Sequence, residues 1–79
     1  MSYYFYPARL IVTRIMKNGN VRGNIHAGDA VAIILKKDQP TGALTFGRVA
    51  DILTNSPTHP HGIKVRLTDG QVGRVQQIY

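Results

Sequence analysis

The stretch Leu53-Thr-Asn-Ser-Pro-Thr-His-Pro-His-Gly-Ile-Lys-Val-Arg-Leu-Thr-Asp-Gly-Gln-Val-Gly-Arg-Val75 decides the fold of this chain. Ile63, Val65 and Leu67 alternate with Lys64, Arg66 and Thr68, so one strand carries an apolar face and a cationic face. Asp69-Gly70 follows. A two-residue hairpin turn needs positive φ at both central positions, and Asp-Gly supplies this at little steric cost. The pattern therefore predicts a β-hairpin with Val72 opposite Leu67 on the inner face. Strict alternation from Val72 turns Arg74 inward and Val75 outward, so an extra residue is expected at Gly73, a bulge that returns Arg74 to solvent. Ahead of the hairpin, Pro57 and Pro60 stiffen an extended loop rich in Ser, Thr, Asn and His.

Towards the N-terminus, Asp29–Lys36 reads as a strand with Val31, Ile33 and Leu35 on one face and Ala30, Ala32 and Ile34 on the other. Both faces are apolar, which predicts a central strand. Pro40 and Gly42 mark the next connection as an exposed loop. A second strand is expected from Ala43 to Thr54, its apolar parity changing near Gly47, where a bulge or bend would let one strand serve two sheets. Asn18-Gly19 and Arg22-Gly23-Asn24 read as turns. No window has the apolar spacing of an amphipathic helix, and Glu is absent from the chain. The fold class that follows is all-β: a small, partly open SH3-like barrel of four to five short antiparallel strands over residues 16–79. An OB-type barrel is the main rival, but it usually needs longer strands and more residues.

Residues 1–15 differ in composition from the rest, with four of the six aromatics at positions 3–6. They read as an N-terminal extension: an added strand, a disordered or adhesive arm, or a segment translated from a start upstream of Met16. The 79 residues allow one domain, and a domain of this size buries only about 60% of the surface its unfolded chain exposes, which argues against a deep catalytic cleft. Cysteine is absent, so disulfides and thiolate metal sites are excluded and a cytoplasmic location is expected. The apolar runs Ala30–Leu35 and Leu10–Val12 fall far short of the roughly 20 residues that span a bilayer. The N-terminus does not read as a secretory signal, because Arg9 follows the aromatic cluster. Ten Lys and Arg against four Asp give a net charge of +6, a balance that favours polyanions.

The stretches from Ile25-His-Ala-Gly-Asp-Ala-Val to Leu35-Lys-Lys-Asp-Gln-Pro-Thr-Gly, then Ile52 to Leu67, then Asp69-Gly-Gln-Val-Gly-Arg-Val75, resemble the YwbE-like family of small uncharacterised bacterial proteins. The resemblance covers about residues 16–79 and implies no defined activity. A weaker resemblance is to KOW modules, SH3-like barrels of ribosomal proteins and transcription elongation factors. It rests on Gly28-Asp29-Ala30-Val31 and Gly47-Arg48-Val49 and implies contact with RNA or the ribosome.

The candidate nucleic-acid-binding set is Lys36, Lys37, Arg48, Lys64, Arg66 and Arg74, which outward-facing strands would gather into a phosphate-directed patch. A solvated charged face with no ligand is the competing explanation. Beyond residue 16 only Phe46 and Tyr79 are aromatic. A stacking platform is thus poorly supplied, and backbone or shape contacts to folded RNA are expected over base readout. Thr58, His59 and His61 form a candidate recognition loop. His59-Pro60-His61 with His26 does not make a metal centre, because no third or fourth ligand is near in sequence. Ser56, Asp51 and a histidine give a triad only on paper, with no nucleophile elbow. No enzyme activity, cofactor or small-molecule substrate is expected. The chain reads as a monomer or small homo-oligomer that binds RNA or a ribonucleoprotein. The alternative is a protein-interaction module that pairs through an open barrel edge.

Overall fold

A computed structural model describes residues 17–79. The extension at 1–15 and the expected start of the domain at Met16 lie outside the described residues. The expected all-β, SH3-like barrel is the architecture found. Five strands occur in the order β1 (Lys17–Asn18), β2 (Ala30–Leu35), β3 (Thr45–Ile52), β4 (Lys64–Leu67) and β5 (Val72–Ile78), with 3-10 turns at Arg22–Asn24 and Lys36–Asp38. All pairings are antiparallel: β2 with β3, β3 with β4, β4 with β5, and β5 back to β2, which closes a four-stranded ring. β1 adds to the outside of β5, with Lys17 opposite Ile78 and Asn18 opposite Gln77. Among the described residues no helix is long and apolar enough to cross a membrane.

The ring encloses one core of Val31, Ile33, Val49, Ile63, Val65, Leu67, Val75 and Ile78, capped by Ile25, with Leu35 and Ile52 packed against it. Nearly all are β-branched, the side-chain type that fits a pleated and tightly curved sheet. β2 is central as its two apolar faces predict, lying between β3 and β5. Val31 and Ile33 supply the inner face.

The phase changes that the sequence demands are present, at other residues than expected. At the hairpin, Leu67 N–H donates to Gln71 O and Gly70 N–H to Leu67 O, so the loop is Thr68-Asp69-Gly70, three residues long. Only Gly70 has positive φ, at 92°, while Asp69 does not. The extra residue therefore sits in the turn. Arg66, not Leu67, faces Val72, and Val65 and Lys64 face Gly73 and Arg74. Val75 points inward and Arg74 outward as predicted, but the expected bulge at Gly73 does not exist. Gly73 is an inner-face residue in regular register, where a Cβ would come within 2.4 Å of Ile34 O.

Gly47 is likewise not a bend. It pairs regularly with Val31 and leaves room for Leu67, whose Cδ1 would lie 2.7 Å from an added Cβ. The shift in β3 comes later: Val49 faces Leu67 and Asp51 faces Arg66, which makes Ala50 the extra residue. A third shift occurs in β5, where Ala32 faces Gln77 and Ile33 faces Val75, leaving Gln76 unpaired. Leu44 and Phe46 are exposed, at 38% and 64%.

Candidate functional site

The loop that feeds β4 is fastened along its length. Arg22 N–H donates to Pro57 O at 2.8 Å, His59 N–H to Asn20 O at 3.0 Å and Ile63 N–H to Gly19 O at 2.9 Å. Thr58 forms an isolated bridge with Val21. Within the loop, Gly62 N–H donates to His59 O at 3.1 Å, and His61 N–H donates to His59 Nδ1 at 3.1 Å. That second bond places the proton of a neutral His59 ring on Nε2. A Pro-containing loop tied at so many backbone points holds its two imidazoles without relying on a hydrophobic core of its own.

Those imidazoles face a cleft of about 760 Å³ lined by Asn20, Ile34, Gln39, His59, Pro60, His61, Arg74 and Gln76. A second cleft of about 410 Å³ adjoins it, shares Ile34, Gln39 and Arg74, and adds Lys36, Lys64, Val72 and Gly73. The two form one groove with Arg74 at its centre. Arg74 is half-buried, and its Nη1 donates to Gly62 O at 3.1 Å. Gln76, the bulged residue of β5, extends its amide to His61 O at 3.3 Å, so the register shift ties the strand to the loop.

The electrostatics of the groove are one-sided. Lys64 lies directly opposite Arg74 across β4 and β5, Lys36 projects from the turn after β2, and no carboxylate lines either cleft. Facing like charges destabilise a strand pair, so this juxtaposition costs stability unless an anion offsets it. His59 responds to the same field. Its pKa is lowered by partial desolvation, then by the Arg74 cation and by His61.

The predicted basic set thus divides. Lys36, Lys64 and Arg74 converge on the groove together with His59 and His61. Arg66 shares the outer face of β4 with Lys64 but lines neither cleft and is paired with Asp51 on β3 through Nη1 to Oδ2 at 3.0 Å; this also engages the carboxylate of the paper triad. Arg48 lies on β3, with Nη1 donating to Gly28 O at 2.9 Å. Lys37 is exposed but lines neither cleft. Thr58 anchors the recognition loop and does not line the groove. Sequence reading missed Asn20, Ile34, Gln39 and Gln76. Nothing local marks them, because each reaches the groove only through the closure of the ring. Among the described residues no group of three or more His, Cys, Asp or Glu is placed to hold a metal ion.

The chain matches the model of the family described as "Uncharacterized conserved protein (DUF2196)" over residues 18–78. It belongs to this family. Membership takes in the strands of the ring and every residue of the groove. "Uncharacterized protein YwbE" of Bacillus subtilis (strain 168) is 62% identical over 61 residues, which span 77% of this chain and 94% of that relative. The YwbE-like resemblance carried by the two loops and the hairpin is borne out. No solved structure matches the chain.

Proposed function

We propose that this protein is a non-enzymatic binding module that grips RNA or a ribonucleoprotein through phosphates seated in the groove of Lys36, Lys64 and Arg74. The observation that carries this reading is the placement of Lys64 opposite Arg74 with no carboxylate lining the groove. Two positions along the same face of β4, Arg66 is paired with Asp51, so the absence of a carboxylate beside Lys64 and Arg74 sets the groove apart from the rest of that face. His59 and His61 add ring N–H donors at the rim. Closure of the ring supports this reading over edge pairing with another chain, since β2, β3, β4 and β5 each have a strand on both sides.

The test is fluorescence anisotropy of a labelled oligoribonucleotide with the wild-type protein and with a Lys36→Ala/Lys64→Ala/Arg74→Ala variant. All three side chains lie on the outward surface, so the variant retains the core. The expected outcome is a loss of affinity of at least two powers of ten at low salt. Retained affinity in the triple variant removes the groove from the function.

A further inference from the structure

Phe46 and Tyr79, far apart in the sequence, become neighbours once the ring closes. Phe46 is 64% exposed and Tyr79 47% exposed, and their ring centroids lie 6.1 Å apart at an interplanar angle of 39°. Register explains the encounter. Ala32 faces Phe46 on β3 and Gln77 on β5, and Tyr79 N–H donates to Ala30 O at 2.9 Å, which carries Tyr79 alongside β2. The Tyr79 hydroxyl donates to Gln77 Oε1 and so orients its ring. Ala32 beneath Phe46 is fully buried, yet both rings keep large apolar faces in water, which costs free energy.

Their surroundings name the ligand. The outward side of β2 runs Ala30, Ala32, Ile34. Arg48 faces Ala30, which Tyr79 meets through its backbone bond, Phe46 faces Ala32, and Arg74 faces Ile34. A cation therefore stands at each end of a line of about 13 Å, with Phe46 between them and Tyr79 at the Arg48 end. Ile34 also lines both clefts of the phosphate groove, so the line and the groove are one continuous surface. No acidic residue faces β2 along this line. A π-face between cations, joined to a phosphate-directed groove, fits a base whose own face is open to stacking. Paired bases inside a duplex do not present that face.

We infer that Phe46 and Tyr79 form a stacking subsite for an unpaired base, which makes the ligand of the adjoining groove a single-stranded nucleic acid. The inference rests on the phosphate reading of the groove. It also replaces the expectation that two aromatics are too few for stacking: two suffice when a small residue at 32 and strand register bring them onto one face.

The experiment compares three labelled probes of one length with the full chain at about 50 mM salt: a single-stranded oligoribonucleotide of mixed sequence, its blunt-ended duplex, and an abasic strand that keeps the phosphates and lacks the bases. The single strand is expected to bind roughly ten-fold more tightly than the abasic strand. Phe46→Ala removes that advantage while leaving the abasic affinity unchanged, and Tyr79→Ala does the same. Phe46→Leu keeps an apolar side chain at this exposed position and still loses most of the advantage. Equal affinity for the single and abasic strands, or a Phe46→Ala variant that binds the single strand as well as wild type does, overturns the stacking subsite and leaves the groove standing. Binding of none of the three probes overturns the subsite and the groove together.

Discussion

At the scale of single residues, two glycines that punctuate the sequence alike are held for different reasons. A Cβ at position 73 would sit 2.4 Å from Ile34 O and 2.9 Å from Ile34 C, both backbone atoms of the neighbouring strand. The strand would have to move, at the centre of the ring. At position 47 the obstacle is Leu67 Cδ1 at 2.7 Å, the tip of a side chain that can change rotamer. Overpacking costs about 1–3 kcal/mol, so Gly73→Ala belongs at the upper end of that range and Gly47→Ala at the lower, as read from urea midpoints at constant m-value. The reverse ranking would mean that the register of β5 against β2 is wrong. His59 supplies a second prediction. Its folded pKa is lowered by partial desolvation, by Arg74 and by His61, so the unfolded chain binds this proton more tightly than the folded one. The stability it lends is complete above the ordinary histidine value of about 6.5 and is lost as pH falls through the lowered folded value. An anion in the groove offsets the Arg74 charge and raises the His59 pKa, so RNA binds more tightly as the solution is acidified below about 6.5. The check is an NMR titration of the His59 ring with and without inorganic phosphate. An unmoved titration midpoint would separate His59 from the anion site.

At the scale of elements, the decisive device is the three-residue turn between β4 and β5. Gly70, at φ 92°, takes the extra position, while Asp69 accepts from Gln71 N–H at 3.1 Å and from Gln71 Nε2 at 2.8 Å. These bonds hold the Asp69 carboxyl below the usual carboxylate range. Because Gly70 is the residue of this turn with positive φ, Gly70→Ala should lower stability by about 1–2 kcal/mol and Gly70→Asn by less, measured by thermal or urea unfolding. Equal costs for the two would show that the turn does not need that conformation. This turn also shows what a sequence displays and what it withholds. Alternation in 63–67 and the two apolar faces of β2 revealed the strands, because inward and outward side chains differ in polarity residue by residue. The need for phase resets in β3 and before Val75 was equally legible. Their positions were not: Gly70, Ala50 and Gln76 are extra because of what the partner strand places opposite them, and glycine attracted the assignment that Ala50 and Gln76 in fact hold. The site followed the same rule. Lys36, Lys64, Arg74, His59 and His61 could be named from composition, whereas the separation of Arg66 by Asp51 depends on cross-strand register.

At the scale of the whole molecule, the question is how a net charge of +6 is distributed, since field strength at one place, not the total, sets affinity for a polyanion. Were all six candidate cations on one face, binding would release four to six counterions and weaken very steeply with salt. The barrel instead commits three of them, Lys36, Lys64 and Arg74, to the groove, leaves Lys37 and Arg48 outside both clefts and pairs Arg66 with Asp51. Three neutralised phosphates give a slope of log affinity against log salt of roughly −2 to −3, a fall of about 15- to 60-fold between 50 and 200 mM salt. Binding isotherms over that range test the count. The Lys36/Lys64/Arg74 triple alanine variant should flatten the slope towards zero, while Arg66→Ala should leave it unchanged, because that guanidinium already has its counterion within the fold. A wild-type slope near −5 needs about six phosphates and would mean that Lys37, Arg48 and Arg66 reach the ligand as well, Arg66 abandoning Asp51 to do so. A slope near zero would take phosphate out of the recognition altogether, leaving the opposition of Lys64 and Arg74 as an unrelieved cost of the fold.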